Sequence, residues 1–351
     1  MMIKHATSIN ELFSESLSWE EPIFPLIYHK QDFLSFVSSA VGGNFHALVT
    51  SRDGVIRGFL PWFELFNPLY GLVINSLPWF GNQGACCMFI NSDSTDVLSL
   101  LYAFKDYVDS SPDFFSATLN ISPFDPYAKV YDKVFSDTII TPRTAQVLLL
   151  PQVIDDKNTA LMSLFTSKTR NLVRKSQQQG FHAVDGDTDI GWDFLFQTHT
   201  ENMNAIGGTS KLYSHFDAIR QFTSKARRIL TLSMLNDEPV AALLCLYQKP
   251  CVEYFVPVIK REYRALQPMS FLIMYEMINA VKNNYTYWNF GGTPDSMDSL
   301  YHFKAGWGAI DIPYRYFTII SKEKNIVRAD IERLLSAFPY YFSYPFQLIS
   351  S

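Results

Sequence analysis

The chain has 351 residues, 29 Lys and Arg against 34 Asp and Glu, and a formal net charge of −5, which excludes a protein whose whole surface attracts nucleic acid. With 48% apolar and 15% aromatic residues and a length beyond what one hydrophobic core usually organises, two domains are expected. No window reaches the ~20 uninterrupted apolar residues of a membrane span, and the opening Met1-Met-Ile-Lys-His-Ala-Thr-Ser8 lacks the apolar run of a secretory signal, so the expected location is cytoplasmic.

Residues 1 to 30 show no assignable pattern. From Phe33, the spacing of Phe33, Phe36 and Val37 predicts a short helix. Phe45 to Val49, the turn Asp53-Gly54 and Val55 to Trp62 predict a hairpin, because Asp-Gly tolerates the positive φ of a two-residue turn. Tyr70 to Leu77 adds a third strand. Thr95 to Val108 is a helix with Val97, Leu101, Phe104 and Val108 on one face, and Phe114 to Ile121 returns as a strand. Ala145 to Leu150 reads as a further strand, and Pro151, Asp155-Asp156 and Asn158 mark a connection over 151–168, followed by one short helix over Thr166 to Gln179.

The same order then repeats. Ile229 to Leu235, the turn Asn236-Asp237, Val240 to Tyr247 and Cys251 to Val256 form a three-stranded meander. Ser270 to Lys282 is a helix with an apolar stripe of Phe271, Met274, Tyr275, Ile278 and Val281, and Tyr287 to Phe290 is the strand after it. Matched turns, helices and strands recur at near-constant separation, which implies a structural duplication. Aromatics crowd the tail from Leu334 to Ser351; they are read first as sealing a core, with peripheral membrane contact as the alternative.

At the end of the last strand, Tyr287-Trp-Asn-Phe-Gly-Gly-Thr-Pro-Asp-Ser296 leads into Leu300-Tyr-His-Phe-Lys-Ala-Gly-Trp-Gly308. Gly291 and Gly292 let the backbone turn without a Cβ, opening the strand end toward a ligand, with Asp295, His302 and Lys304 just beyond. Basic residues cluster at Lys168/Arg170/Arg174/Lys175, Lys225/Arg227/Arg228 and Lys260/Arg261/Arg264, which points to an anionic ligand near Arg264 or the 168–175 helix. Cys86, Cys87, Cys245 and Cys251 lack paired zinc spacing, and the 7 histidines are scattered singly; no metal is expected.

The run WNFGGTPDS and then YHFKAGWGA at 301–309 resembles the closing signature of the FemAB-like proteins, the peptidoglycan interpeptide-bridge aminoacyltransferases and their relatives in surface-polysaccharide gene clusters. Asn75-Ser-Leu-Pro-Trp-Phe-Gly-Asn-Gln-Gly84 and Thr169-Arg-Asn-Leu-Val-Arg-Lys-Ser-Gln-Gln-Gln-Gly180 resemble two further family segments in the same order. The repeated meander, helix and strand is similar to the GNAT acyltransferase core, in which the strands before and after the helix splay apart. Together these imply an α+β fold of two tandem GNAT-like domains, mixed sheets flanked by helices: residues 1–150, completed by about 318–351, and residues 151–317.

The resemblance implies an acyltransferase whose lysine, here Lys304 after Phe303, polarises the acyl carbonyl, with Tyr254 an aromatic near the cleft. Asp295 is the expected ground-state partner of Lys304, and Gly291, Gly292, Phe303 and Arg264 complete the substrate contacts. His199 is a weaker candidate for proton removal from the amine. Arg261-Glu-Tyr-Arg-Ala-Leu-Gln-Pro-Met269 has no glycine where a CoA-dependent GNAT carries its phosphate loop, and Pro268 removes a donor. In the first half the matching glycines of Gly81-Asn-Gln-Gly84 lie far from the helix at Thr95. That lowers but does not abolish acyl-CoA as donor; the resemblance implies a donor that enters as co-substrate, acyl-CoA or aminoacyl-tRNA, with no permanently bound cofactor. The expected acceptor is an amine of a nucleotide-sugar or lipid-linked amino-sugar precursor of the envelope or of polysaccharide. An aminoacyl-tRNA-dependent transferase of peptidoglycan type and a catalytically inactive binding protein of the same fold are the alternatives; no coiled-coil insertion of the bridge-forming enzymes is evident.

Overall fold

The computed structural model describes residues 1–14, 20–78, 84–152, 155–293, 297–321 and 331–346. The chain divides into two compact units, residues 1–143 with 313–351 and residues 144–312. Both boundaries fall inside strands, at 143/144 and 312/313, whereas the sequence reading placed them at 150/151 and 317/318.

The first unit begins with β1 (Met2–Ala6), α1 (Ile9–Leu12) and α2 (Gln31–Val41), followed by β2 (Asn44–Arg52), β3 (Val55–Asn67) and β4 (Gly71–Asn75). Asp53 and Gly54 both have positive φ, 54° and 78°, the geometry of a tight hairpin turn. After the two-residue β5 (Cys87–Met88) come α3 (Ser94–Ser110), β6 (Phe114–Asn120) and α4 (Ala128–Val134). Asp93 caps α3, accepting from the Thr95 and Asp96 amides while Asp96 accepts from the Asp93 amide, a reciprocal cap that satisfies otherwise orphaned donors. The face of α3 formed by Val97, Leu101, Phe104 and Val108 is fully buried; a side chain such as Phe104 contributes roughly 1.5–3 kcal/mol by leaving water.

Strands β2, β3 and β4 are antiparallel, and β6 runs parallel to β4. The sheet is closed by a strand from the far end of the sequence, β13 (Ile310–Ile320), antiparallel to β6 from Tyr316↔Asn120 to Ile320↔Ser116. After α11 (Ile331–Ala337) the tail docks in the same unit. Phe342 exchanges hydrogen bonds with the Asn75 side chain, and Ser116 Oγ donates to Ser343 O at 2.6 Å. Phe338 and Tyr341 are buried there.

The second unit takes β7 (Ile139–Leu149) from Thr144 onward, then α5 (Lys157–Leu164), α6 (Ser167–Gln177), β8 (His182–Asp185), α7 (Asp189–Asn204) and α8 (Tyr213–Phe222). The duplicated pattern follows as β9 (Arg228–Leu235), β10 (Glu238–Gln248), β11 (Cys251–Ile259), α9 (Pro268–Lys282) and β12 (Tyr287–Thr293), and α10 (Asp298–Gly306) comes next. Strands β9, β10 and β11 are antiparallel and β12 runs parallel to β11, reproducing the topology of the first unit. Strand β7 closes this sheet antiparallel to β12. Each repeat thus receives its last strand from the segment that follows the other repeat in sequence.

Helix α9 is rotated relative to the stripe drawn from the sequence. Met269, Leu272, Ile273, Met277 and Ala280 are buried with Met274 and Val281, whereas Tyr275 is 40% exposed. Phe271 and Ile278 of the predicted stripe are only partly buried, at the margin of this core. The same core holds Trp288, Phe290, Phe165 and Trp307. All four cysteines are free and buried. Among the described residues no helix is long and apolar enough to cross a membrane, and no group of three or more metal-ligating side chains is present.

Candidate functional site

Strands β11 and β12 share only three pairs, Cys251↔Tyr287, Val252↔Trp288 and Glu253↔Asn289, and then part. Each is bent by an extra residue just past the last pair. On β11, Tyr254 faces Cys245 and Val256 faces Leu244, leaving Phe255 as the insertion. On β12, Asn289 faces Val147 and Gly292 faces Ala145, so Phe290 and Gly291 oppose Gln146 alone. A bulge kinks its strand and interrupts the ladder, and two bulges at one level open a wedge whose floor is Glu253 and Asn289. Gly291 has φ 73°, where a side chain would be strained, and its N–H donates to Asn289 Oδ1 at 2.8 Å.

The bulge turns the carbonyls of Gly291 and Gly292 toward α10. Lys304, in the last turn of that helix, donates from Nζ to Gly292 O at 2.9 Å and to Gly291 O at 3.2 Å. It is only 4% exposed, and burial lowers its pKa to about 8. Neither contact carries a formal charge, and the third N–H finds no acceptor among the described residues. An ammonium held this way retains most of its desolvation cost, so it is poised to favour a negative charge nearby. Helix α10 is anchored at this same C-terminal end. Thr166 N–H donates to Gly306 O at 2.9 Å, Phe165 and Trp307 meet edge to face at 4.9 Å, and Gly308, at φ +79°, leaves room where a Cβ would stand 2.5 Å from Leu164 O.

The structure gathers most of the residues named from the sequence. Tyr254 lies on β11 with its ring 5.3 Å from Phe290, and the Phe303 ring stands 6.3 Å from Phe290. Burial, and then the neighbouring Cys245, push the Tyr254 hydroxyl above the usual phenol range, so it remains a donor. Tyr254, Gly291, Gly292, Phe303 and Lys304 therefore border one wedge. Asp295 lies outside the described residues; the partners of Lys304 on view are the two backbone carbonyls.

Two candidates stand elsewhere in the second unit. His199, on α7, is buried and accepts at Nε2 from the Lys211 N–H at 3.1 Å; burial, reinforced by Lys211, lowers its pKa to about 4. Its one basic lone pair is thus occupied, and accepting a proton would require releasing the Lys211 amide. Arg264 is exposed on the short 3-10 turn Arg261–Leu266 before α9, where its carbonyl accepts from the Gln267 N–H at 3.2 Å.

Sequence reasoning missed Asn289 and Gln146. Asn289 is fully buried, holds the bulge through Oδ1 and has no partner for Nδ2 among the described residues; an Asn between Trp288 and Phe290 in a buried strand was the available signal. Gln146, also fully buried, donates to Tyr301 O at 3.2 Å and accepts from Thr293 Oγ1 at 2.8 Å, tying the bulge to α10 with no local sequence sign.

The matching place in the first unit is closed. Past the last β4–β6 pair, Ser76 N–H donates to Thr118 O at 3.0 Å and Gly84 N–H to Asn120 O at 2.9 Å. Asn120 also bonds Ser76 Oγ and Leu77 O through its side chain. Among the described residues, the strands that part in the second unit are stitched together here, and the open wedge is seen in residues 144–312.

Residues 196–312 match the FemAB family, a span that includes His199, Tyr254, Arg264 and Lys304. The fold is similar to that of FemX, with a TM-score of 0.68 at 14% identity over 92% of this chain and 98% of that one. It is similar to a conserved protein of unknown function from Bacteroides thetaiotaomicron VPI-5482, with a TM-score of 0.60 at 12% identity over 91% and 100% of the two chains. A tandem GNAT protein from the clavulanic acid biosynthesis pathway gives 0.51 at 9% identity, over 92% and 100%. No curated protein matches the chain in sequence. The α+β class implied by the sequence segments is thereby shown, and the FemAB match falls on the part of the chain that holds the closing segments.

Proposed function

We infer that this FemAB-like chain is an N-acyltransferase that moves an acyl group to an amine of a nucleotide-sugar or lipid-linked cell-envelope precursor. The observation that carries the reading is the buried ammonium of Lys304, held by two uncharged carbonyls at the mouth of the β11–β12 wedge. A neutral amine attacking an acyl carbonyl forms the C–N bond and places negative charge on the carbonyl oxygen. Lys304 offsets that charge in a site where water is scarce, and such a donor is typically worth about 10²–10³ in turnover. Collapse of the adduct breaks the C–O or C–S bond to the donor, and the leaving group takes the proton given up by the amine. The wedge supplies positioning: Tyr254 and Phe303 stand beside Phe290, and unpaired edges of β11 and β12 can align an extended substrate.

The donor is a co-substrate. Where a CoA-dependent GNAT presents a Gly-rich loop, Arg261–Leu266 is wound into a 3-10 turn with the Tyr263 and Gln267 amides bonded to Lys260 O and Arg264 O. Amides engaged in this way are not offered to a pyrophosphate, which favours an ester donor such as aminoacyl-tRNA over acyl-CoA. The test is incubation with charged tRNA or acyl-CoA and a set of amino-sugar nucleotides and lipid-linked amino sugars, read by mass spectrometry. An acceptor gaining the mass of one acyl group is the expected result. Acceptor binding without product from either donor would leave a binding protein in place of an enzyme.

A further inference from the structure

The corner between α5 and α6 forms a surface groove of about 360 Å³. Apart from Met162, its walls are polar, Asn158, Thr159, Ser163, Arg170, Arg174 and Gln177, with neither an aromatic to stack a base nor a carboxylate to balance the arginines. Helix α6, Ser167-Lys-Thr-Arg-Asn-Leu-Val-Arg-Lys-Ser-Gln177, has four cations and no acid. Among the described residues none of the four makes an ion pair. Arg170 and Arg174 stand four residues apart, a like-charge pair that weakens a helix. The acids flanking this segment in sequence are Asp155 and Asp156, ahead of α5, and Asp185 on β8; Asp156 is engaged as the α5 cap, accepting from the Thr159 N–H at 2.9 Å.

The two guanidinium groups are also oriented. Arg170 donates from Nη1 to Phe165 O and from Nη2 to Ser167 Oγ, which fixes its plane, and Arg174 reaches Asn171 Oδ1 at 3.4 Å. A forked donor held in place loses less freedom on meeting a phosphate than a free one. Phe165 and Thr166, which this corner shares, are the residues that grip Gly306 and Trp307 at the end of α10. The groove therefore adjoins the helix that carries Lys304.

We propose that the α5–α6 groove is a binding site for the diphosphate group of a small substrate, with Arg170 and Arg174 as its paired anchors. The confined volume and the absence of a stacking surface select the phosphoryl group itself rather than a base or a length of RNA. Binding there can be read without any acyl transfer, so it stands or falls separately from the reaction proposed above.

The experiment is calorimetric titration of the full chain with inorganic pyrophosphate, then with UDP and with vesicles carrying a polyprenyl diphosphate. Arg174→Gln, at an exposed position, and Arg170→Lys, which keeps the charge but loses the fork, are compared with Lys225→Gln, whose parent lysine is 79% exposed and paired with Asp187. Pyrophosphate should bind, and each arginine variant should weaken it roughly tenfold or more, as loss of a charge-assisted bond implies. The Lys225 variant should be unchanged. Tighter binding of UDP identifies a soluble nucleotide as the source and selective vesicle binding a lipid-linked one; either supports the assignment. Failure of pyrophosphate to bind at millimolar concentration, equal binding by folded arginine variants, or RNA binding that pyrophosphate does not displace would overturn it.

Discussion

Replacing Gly291 with alanine perturbs the wedge at one backbone position. Gly291 has φ 73°, and an L-residue held in that region costs about 1–2 kcal/mol. For a unit of this size that corresponds to a melting-temperature loss of roughly 2–4 °C per kcal/mol. The alternative for the chain is to flatten the bulge, which restores an ordinary φ but swings the Gly291 and Gly292 carbonyls away from Lys304 Nζ, now 3.2 and 2.9 Å distant. Misplacing a catalytic group by about an ångström can cost about 10² in rate. Gly291→Ala should therefore lower both melting temperature and turnover, with acceptor affinity little changed. Gly292 lies outside the left-handed region, so Gly292→Ala serves as the comparison and should be destabilised less. Calorimetric melting and steady-state turnover on the two variants read the effect. A Gly291→Ala protein as stable and as active as the parent would refute the claim that this bulge holds the ammonium in place.

Lys304 also sets a pH dependence. Its folded pKa of about 8 lies below the ordinary 10.5, so the unfolded chain binds more protons between those values, and stability should rise from pH 8 to 10, seen as an increasing urea midpoint. Turnover should move the opposite way, falling as pH passes about 8, because the neutral amine no longer opposes oxyanion charge; a rise would mark Lys304 as a base. His199→Gln places an amide oxygen where Nε2 accepts the Lys211 N–H, and turnover should be retained, whereas loss of activity with a native melt would restore His199 as a catalytic residue. Gln146→Leu orphans the Thr293 hydroxyl and the Tyr301 carbonyl, and about 1–3 kcal/mol of stability should be lost in chemical denaturation.

The repeat was legible in the sequence because its signals are local. Asp53-Gly54 and Asn236-Asp237 both adopt positive φ, 54° and 78° in one turn and 51° and 65° in the other, and the strands on either side follow from them. Helix α10 was not seen: the Tyr301-His-Phe-Lys304 run read as a strand-end loop, although Gly306 and Gly308 are helix stop signals. Helix α5 was hidden by the Asp155-Asp156 pair, which was taken for a connection when Asp156 is a cap. The exchange of β7 and β13 between repeats, and the carbonyls that hold Lys304, depend on contacts between distant segments. No local pattern encodes them. The choice of Lys304, Tyr254 and Phe303 came from resemblance of motif, and the structure adds the reason they share a place: two bulges that part β11 from β12 beside α10.

The most direct measurement is a single-turnover comparison of the parent chain with Lys304→Met, using saturating donor and an acceptor shown to bind. Methionine fills similar space without the charge, so removal of the buried desolvation cost and loss of two hydrogen bonds should roughly offset each other and leave the melting temperature within a few degrees. The expected result is a chemical step slower by on the order of 10² or more, with acceptor affinity unchanged. An undiminished rate in a folded Lys304→Met protein would show that the ammonium is structural and that the chemistry lies elsewhere.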